Sequence, residues 1–286
     1  MLNLTDFKTL KKLLEPNGFD FKKSLGQNFL IDDTVCPRMA QICDCAGIGV
    51  IEIGPGAGVL TQQLAKSAKK VVCIEIDKRL KNVLEQSLCE FDNVKIIFDD
   101  FNNIDMKQLI EKEFEDMEVV VCANLPYYLT SPIIMSLLES ELNLKNITVM
   151  IQKEAALRLC AQMGTRNCSA VTACVRYYSE PELQFEVNRS SFFPSPNVDS
   201  QVIKLNIKEK SGLNEIDKNT FFKVVKAAFS MRRKTLLNCL SNGLKINKDK
   251  LTDILNEVNI NTNARAENLS VEDFVLLSNR IYTEEI

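Results

Sequence analysis

Val50-Ile51-Glu52-Ile53-Gly54-Pro55-Gly56-Ala57-Gly58 carries the strongest fold signal in the chain. Its β-branched start predicts a short buried strand, and its glycines predict a tight turn opening a helix over 59–67. A strand, a glycine turn and a helix N-terminus together form a cradle for a nucleotide-like ligand, because glycine lets backbone N–H groups approach closely. The spacing is Gly-x-Gly-x-Gly, not the Gly-x-Gly-x-x-Gly of dinucleotide binders, which favours a ligand without a pyrophosphate. The next apolar run, 71–74, ends in Glu75-Ile76-Asp77. That puts an acid about twenty residues past the glycines, where such folds hold a ribose diol. A third run, 94–98, closes on Asp99-Asp100, whose carboxylates suit an adenine amino group. A lone acid at a strand end is usually a solvated turn residue. In this order behind a glycine loop, the acids predict an α/β, Rossmann-like domain.

The fourth run, Val119-Val120-Val121-Cys122-Ala123, has the density of a strand buried on both faces and leads into Asn124-Leu125-Pro126-Tyr127. The end of such a strand is a usual place for a site in an open α/β sheet. An exocyclic amine on a nucleobase is a poor nucleophile because its lone pair is delocalised into the ring. An enzyme that alkylates it must hold the nitrogen nearer tetrahedral, and two acceptors on its N–H groups do that. Asn124 offers a side-chain carbonyl and Leu125 a backbone carbonyl, while Pro126 fixes its own φ and biases Leu125 toward an extended conformation. Tyr127 adds a flat face on which a base can stack.

Outward from these motifs, helices are expected over 4–14, 34–45, 132–140 and 152–163, and strands over 146–151, 185–187 and 198–207. The stretch 170–178 is rich in β-formers. Lys22-Lys23-Ser24-Leu25-Gly26-Gln27-Asn28-Phe29-Leu30 mixes charge, amides and an aromatic, as a phosphate- or ligand-facing loop does, though a plain linker reads the same way. Ser191-Phe192-Phe193-Pro194-Ser195-Pro196-Asn197 is an aromatic loop placed to close on a base held by Tyr127. After a polar linker over 208–217, helices are expected over 221–240, 248–258 and 271–282. The division is therefore 1–210, Rossmann-like with an N-terminal extension, and 211–286, small and all-helical.

Composition narrows the chemistry. The 286 residues contain no histidine, which removes Ser-His-Asp and Cys-His machinery, His-ligated metals and imidazole acid–base catalysis. Group transfer from an already activated donor meets that condition. The 10 cysteines are scattered and never form Cys-x-x-Cys, so they read as core thiols of a cytoplasmic protein. No secretory signal or membrane-spanning run is apparent. Net charge is −3, yet Lys218, Lys223, Lys226, Arg232, Arg233, Lys234, Lys245 and Lys248 occur in one stretch without an Asp or Glu. A basic face on a mildly acidic body is the footprint of a polyanion partner.

Six motifs in order, Gly26-Gln27-Asn28-Phe29-Leu30, Glu52-Ile53-Gly54-Pro55-Gly56-Ala57-Gly58, Asn124-Leu125-Pro126-Tyr127, Phe192-Phe193-Pro194-Ser195-Pro196-Asn197-Val198-Asp199-Ser200, Phe229-Ser230-Met231-Arg232-Arg233-Lys234-Thr235-Leu236 and Arg265-Ala266-Glu267-Asn268-Leu269-Ser270, resemble the bacterial small-subunit ribosomal RNA adenine N6,N6-dimethyltransferases of the KsgA family. The resemblance covers nearly the whole chain. It implies a monomer that uses S-adenosyl-L-methionine, releases S-adenosyl-L-homocysteine and needs no metal. The substrate it implies is a pair of adjacent adenosines in a hairpin loop near the 3′ end of 16S rRNA, in a small-subunit (30S) assembly intermediate. Its pattern puts Asn28, Leu30, Gly54, Glu75, Asp100 and Asn124 around the cofactor, with Gly56 in the cradle, Glu75 on the ribose and Asp100 rather than Asp99 on the adenine. Tyr127 and Phe192 would stack on the flipped base. Arg232, Arg233 and Lys234, with Lys22 and Lys23 of the early loop, would face RNA phosphates. The related macrolide-resistance methyltransferases of the large subunit share the first domain, but Arg232-Arg233-Lys234 and Arg265-Ala266-Glu267 favour the small-subunit enzymes. A non-methylating assembly factor on the same fold is the alternative of another class, against which the intact Asn124 to Tyr127 motif argues.

Overall fold

The structure is a computed structural model that describes residues 2–19, 28–140, 142–209 and 217–284. In chain order its elements are α1 (Phe7–Leu14), β1 (Phe29–Leu30), α2 (Val35–Cys43), β2 (Gly49–Ile53), α3 (Val59–Ala65), β3 (Lys70–Ile74), α4 (Lys81–Ser87), β4 (Val94–Ile97) and α5 (Met106–Phe114). There follow β5 (Val119–Asn124), α6 (Thr130–Glu139), β6 (Leu144–Gln152), α7 (Lys153–Leu159), α8 (Ala170–Tyr178), β7 (Ser179–Val187), β8 (Phe192–Phe193) and β9 (Ser200–Ile207). The last helices are α9 (Lys218–Ala228), α10 (Leu236–Leu244), α11 (Lys248–Glu257) and α12 (Val271–Thr283).

Two compact units form, one from Met1–Ala156 with Glu182–Ile207, the other from Leu157–Pro181 with Lys208–Ile286. In the first, a seven-stranded sheet has the order β4-β3-β2-β5-β6-β9-β7. Strands β4, β3, β2, β5 and β6 run parallel, and β9 returns antiparallel to β6. The order reverses between β2 and β5, so a crevice opens at their carboxyl ends, where open α/β sheets bind ligands. Strand β5 is central, and its apolar residues Val119 to Ala123 are fully buried, which accounts for the unbroken hydrophobic run. One core face packs Met39, Leu64, Val71 and Val120, and a second packs Leu10, Leu14, Phe29, Leu80 and Leu84.

The second unit gathers α8 with α9 to α12. Here two sequence expectations are corrected. The β-rich stretch is the helix α8: Tyr177 lies against Phe221 of α9, with ring centroids 4.6 Å apart, and Thr172 Oγ1 donates to Arg158 O at 2.7 Å. That packing overrides the β-propensity of Val171, Thr172 and Val175. The continuous helix expected over 221–240 is two helices. Ser230 Oγ donates to Ala227 O at 2.6 Å and Thr235 caps α10, so both hydroxyl residues serve helix ends. Arg232, Arg233 and Lys234 thereby occupy an exposed turn, not a helix face.

Gly243 of α10 lies so close to α9 that a Cβ would stand 2.6 Å from Ala227 Cβ and 3.0 Å from its Cα. Gly243→Ala is therefore expected to destabilise the protein by about 1–3 kcal/mol through overpacking, although alanine is the better helix former. Chemical denaturation of the variant checks this, and an equal or higher midpoint would contradict it.

Candidate active site

The glycine turn follows β2 and the Asn-Leu-Pro-Tyr corner follows β5, so the two sit on either side of the switch point. They line one cavity of about 210 Å³. Gly54 has φ +72°, a left-handed value, and a Cβ there would meet nothing within 4 Å. Backbone conformation demands glycine at that position, and the space a side chain would fill stays open to a ligand. Gly58 has φ +94° and is also confined, since a Cβ would lie 3.0 Å from Ser87 Oγ.

Glu75 is buried, and its oxygens take backbone donors, Gly56 N–H to Oε2 at 3.2 Å and Asp77 N–H to Oε1 at 2.9 Å. A carboxylate has about four lone-pair sites, so these backbone donors leave it acceptor capacity for a ligand hydroxyl. This fits a ribose diol. Burial pushes the Glu75 carboxyl above its ordinary range, against these backbone bonds. Glu52, the penultimate residue of β2, is fully buried; desolvation pushes it up to about 8, and the Cys73 thiol donates to its Oε2 at 3.6 Å. Asp100 Oδ1 accepts from Asn102 N–H at 2.9 Å and Asp99 Oδ1 from Asp100 N–H at 2.7 Å. Both acids line the cavity, and among the described residues the second oxygen of each accepts no hydrogen bond.

At the other end Leu125 N–H donates to Met150 O at 3.1 Å, anchoring the corner to β6. Among the described residues no hydrogen bond occupies the Asn124 side-chain amide, and it lines the cavity. Pro126 has φ −57° and ψ 131°, and Tyr127 to Leu129 form a single 3-10 turn closed by Leu129 N–H to Pro126 O at 3.0 Å. The Tyr127 hydroxyl shares a 2.9 Å hydrogen bond with Ser200 Oγ of β9, which orients its ring.

The structure brings Asn28, Leu30, Gly54, Gly56, Glu75 and Asp100 to this cavity together with Asn124, Leu125, Pro126, Tyr127 and Phe192. Two of these motifs, far apart in sequence, meet in an antiparallel ladder: Leu30 pairs with Phe192 and Phe29 with Phe193. Expected to be a loop, Phe192-Phe193 is thus strand β8, and Ser191 Oγ adds a 2.9 Å bond to Asp32 Oδ2. Phe192 is only 3% exposed, so most of its ring packs into the core and a small part faces the cavity. Lys22 and Lys23 lie outside the described residues. Arg232, Arg233 and Lys234 belong to the second unit, where an Arg232 guanidinium nitrogen donates to Arg166 O. Sequence reasoning missed Ile76, Phe101, Tyr128 and Ser200. Ile76 is 63% exposed on the cavity rim, and its place between two flagged acids was the available signal. Eight of the ten thiols are buried, leaving Cys89 exposed and Cys160 intermediate. Among the described residues no helix is long and apolar enough to cross a membrane.

A mixed seven-stranded sheet with a glycine turn and the Asn-Leu-Pro-Tyr corner on either side of its switch point, followed by a helical region, is the fold of Rossmann-like S-adenosylmethionine-dependent methyltransferases, the class this chain represents. Within that class, the chain belongs to the ribosomal RNA adenine dimethylase family, whose model matches residues 18–283. It is 47% identical over 279 residues to ribosomal RNA small subunit methyltransferase A of Bacillus licheniformis, covering 95% of this chain and 94% of that protein. The corresponding Bacillus mycoides protein is 44% identical over 281 residues, 96% of each chain. Among solved structures, a dimethyladenosine transferase from Plasmodium falciparum superposes with a TM-score of 0.75 at 29% identity, covering 90% of this chain and 98% of that one. The 23S rRNA methyltransferase ErmE matches at TM-score 0.67 with 24% identity, over 89% of this chain and 100% of that one, a likeness of fold alone.

Proposed function

We propose that the protein dimethylates N6 of two adjacent adenosines in a 3′-terminal hairpin loop of 16S rRNA, in the cytoplasm, on a small-subunit assembly intermediate. The observation that carries this reading is the Asn124 to Tyr127 corner sharing one cavity with the glycine turn and Glu75. When bound, S-adenosylmethionine supplies a methyl group already activated by its sulfonium. Asn28, Leu30, Gly54 and Gly56 would cradle it, Glu75 would hold the ribose hydroxyls, and Asp100 would accept from the adenine amine. The acids lining the cavity suit a cationic donor.

The chain's own part is positioning. Asn124 Oδ1 and the Leu125 carbonyl accept from the two N–H groups of N6, drawing its lone pair out of conjugation and aiming it at the donor. Tyr127 and the exposed part of Phe192 flank the flipped base, and an unpaired loop adenine costs less to extrude than a paired one. After each transfer N6 sheds a proton to water at the open mouth, and removing one N–H leaves one acceptor still engaged for the second round.

The basic turn carries the RNA contact. Its phosphate-facing role gives an expected result: Arg232→Ala weakens RNA binding and lowers the slope of log affinity against log salt by about 1. Titrations at several salt concentrations read this directly, and parallel slopes would remove Arg232 from the interface. The reaction itself is tested by incubating unmethylated small subunits, and separately large subunits, with labelled S-adenosylmethionine and digesting the RNA to nucleosides. Dimethyladenosine from the small subunit alone is expected. Label in the large subunit would favour a resistance-type enzyme, and binding without label would favour a pure assembly factor.

A further inference from the structure

Among the described residues the two most exposed large apolar side chains, Tyr128 at 71% and Ile76 at 63%, both stand on the rim of the same cavity. Ile76 follows Glu75 and belongs to the cofactor end. Tyr128 follows Tyr127 and belongs to the base end. An aromatic ring left this open to water forgoes the burial that a core position would provide. Tyr128 is also not a loosely placed side chain of a long loop. It is the middle residue of the 3-10 turn whose ends are held by Leu129 N–H to Pro126 O at 3.0 Å and by Thr130 Oγ1 to Pro126 O at 3.4 Å. The neighbouring ring of Tyr127 is tied inward to Ser200, so the turn presents one aromatic to the cavity and one to its mouth.

We propose that Tyr128 is a positioning residue for the nucleotide flanking the target adenosine, its ring stacking on that neighbouring base at the cavity mouth; this rests on the reading of the Asn124 to Tyr127 corner above. When a base is turned into a pocket, the nucleotide beside it loses a stacking partner and is drawn to the mouth. An aromatic ring there restores the lost stack. Such stacking tolerates any base, because every base has a π-face, so Tyr128 improves placement of the strand without choosing its sequence. The ring carries this role and the hydroxyl is dispensable, so phenylalanine substitutes for it.

The test compares two small probes, adenosine and the dinucleoside monophosphate ApA, by equilibrium dialysis with the full chain saturated with S-adenosylhomocysteine. The native protein and Tyr128→Phe are expected to bind ApA about tenfold more tightly than adenosine. In Tyr128→Ala that advantage falls to near unity, while the affinities for adenosine and for S-adenosylhomocysteine are unchanged. An advantage retained in Tyr128→Ala, absent in the native protein, or lost in Tyr128→Phe as well, overturns the proposal. Tyr127→Ala separates its failure from failure of the underlying site: that variant lowers adenosine binding itself. If adenosine binds equally with and without the Tyr127 ring, or not at all, the site reading falls and this one with it.

Discussion

Asn124→Ala is expected to lower the rate of methyl transfer about 10²- to 10³-fold, the usual cost of removing one preorganised group aimed at a developing charge. Asn124 ends β5, where a fully buried strand fixes its backbone, and its amide reaches the cavity with no protein partner among the described residues. A preorganised acceptor requires no rearrangement when N6 becomes tetrahedral. The Leu125 carbonyl remains in the variant, so the residual rate reflects one acceptor in place of two. The residues proposed to hold the cofactor are mostly those of the glycine turn and the acids that line the cavity with Asn124, so S-adenosylmethionine binding is expected to change far less than the rate. Asn124→Asp keeps an acceptor at the same distance from the backbone and is expected to retain more activity than alanine. Single-turnover transfer to unmethylated small subunits, paired with a cofactor titration, measures both quantities. Undiminished turnover in Asn124→Ala would refute the role.

The largest effect on stability is expected from Glu52. Its carboxyl is fully buried and titrates at about 8 in the folded protein against 4.5 for an ordinary glutamate, desolvation being the main cause and the nearby charge of Glu75 adding to it. The folded state therefore holds a proton that the unfolded chain releases between these values. Stability from this group is fully present below about 4.5 and is lost as pH rises to about 8, beyond which both states are ionised. At 1.36 kcal/mol per pH unit the whole span amounts to about 5 kcal/mol. Glu52→Gln mimics the protonated form and is expected to flatten that decline. Urea unfolding of both proteins at mildly acidic, neutral and alkaline pH checks it, and parallel pH profiles would show that Glu52 does not titrate as its burial demands. Glu75 is shifted the same way, so some decline persists in the variant.

Parts of this molecule were legible because their signals are local. The left-handed φ at Gly54 admits few residues other than glycine, so a strand running into glycines announces the turn. A strand buried on both faces announces itself as an unbroken apolar run, as β5 does, and acids at strand ends fall at the carboxyl edge of a parallel sheet because the strands share one direction. Helix α8 was not legible. Val171, Thr172, Val175, Tyr177 and Tyr178 favour a strand by local preference, and only packing against α9 makes them helical. Nor was the break before Thr235, whose apolar flanks keep helical spacing through a turn.

The chemistry each motif can offer is written in its residue types: an acceptor pair at Asn124 and Leu125, a carboxylate at Glu75, open backbone at the glycines and positive charge at Arg232 to Lys234. Which of these meet depends on the folded arrangement of the strands. The reversal of strand order between β2 and β5 puts the glycine turn beside the Asn-Leu-Pro-Tyr corner, and the ladder of Phe29-Leu30 with Phe192-Phe193 closes distant motifs over one cavity. Ser200 orients Tyr127 from an antiparallel strand that no local pattern ties to it. Burial, which raises Glu52 and leaves Tyr128 in water, depends on everything packed around a residue and so has no counterpart in its immediate sequence.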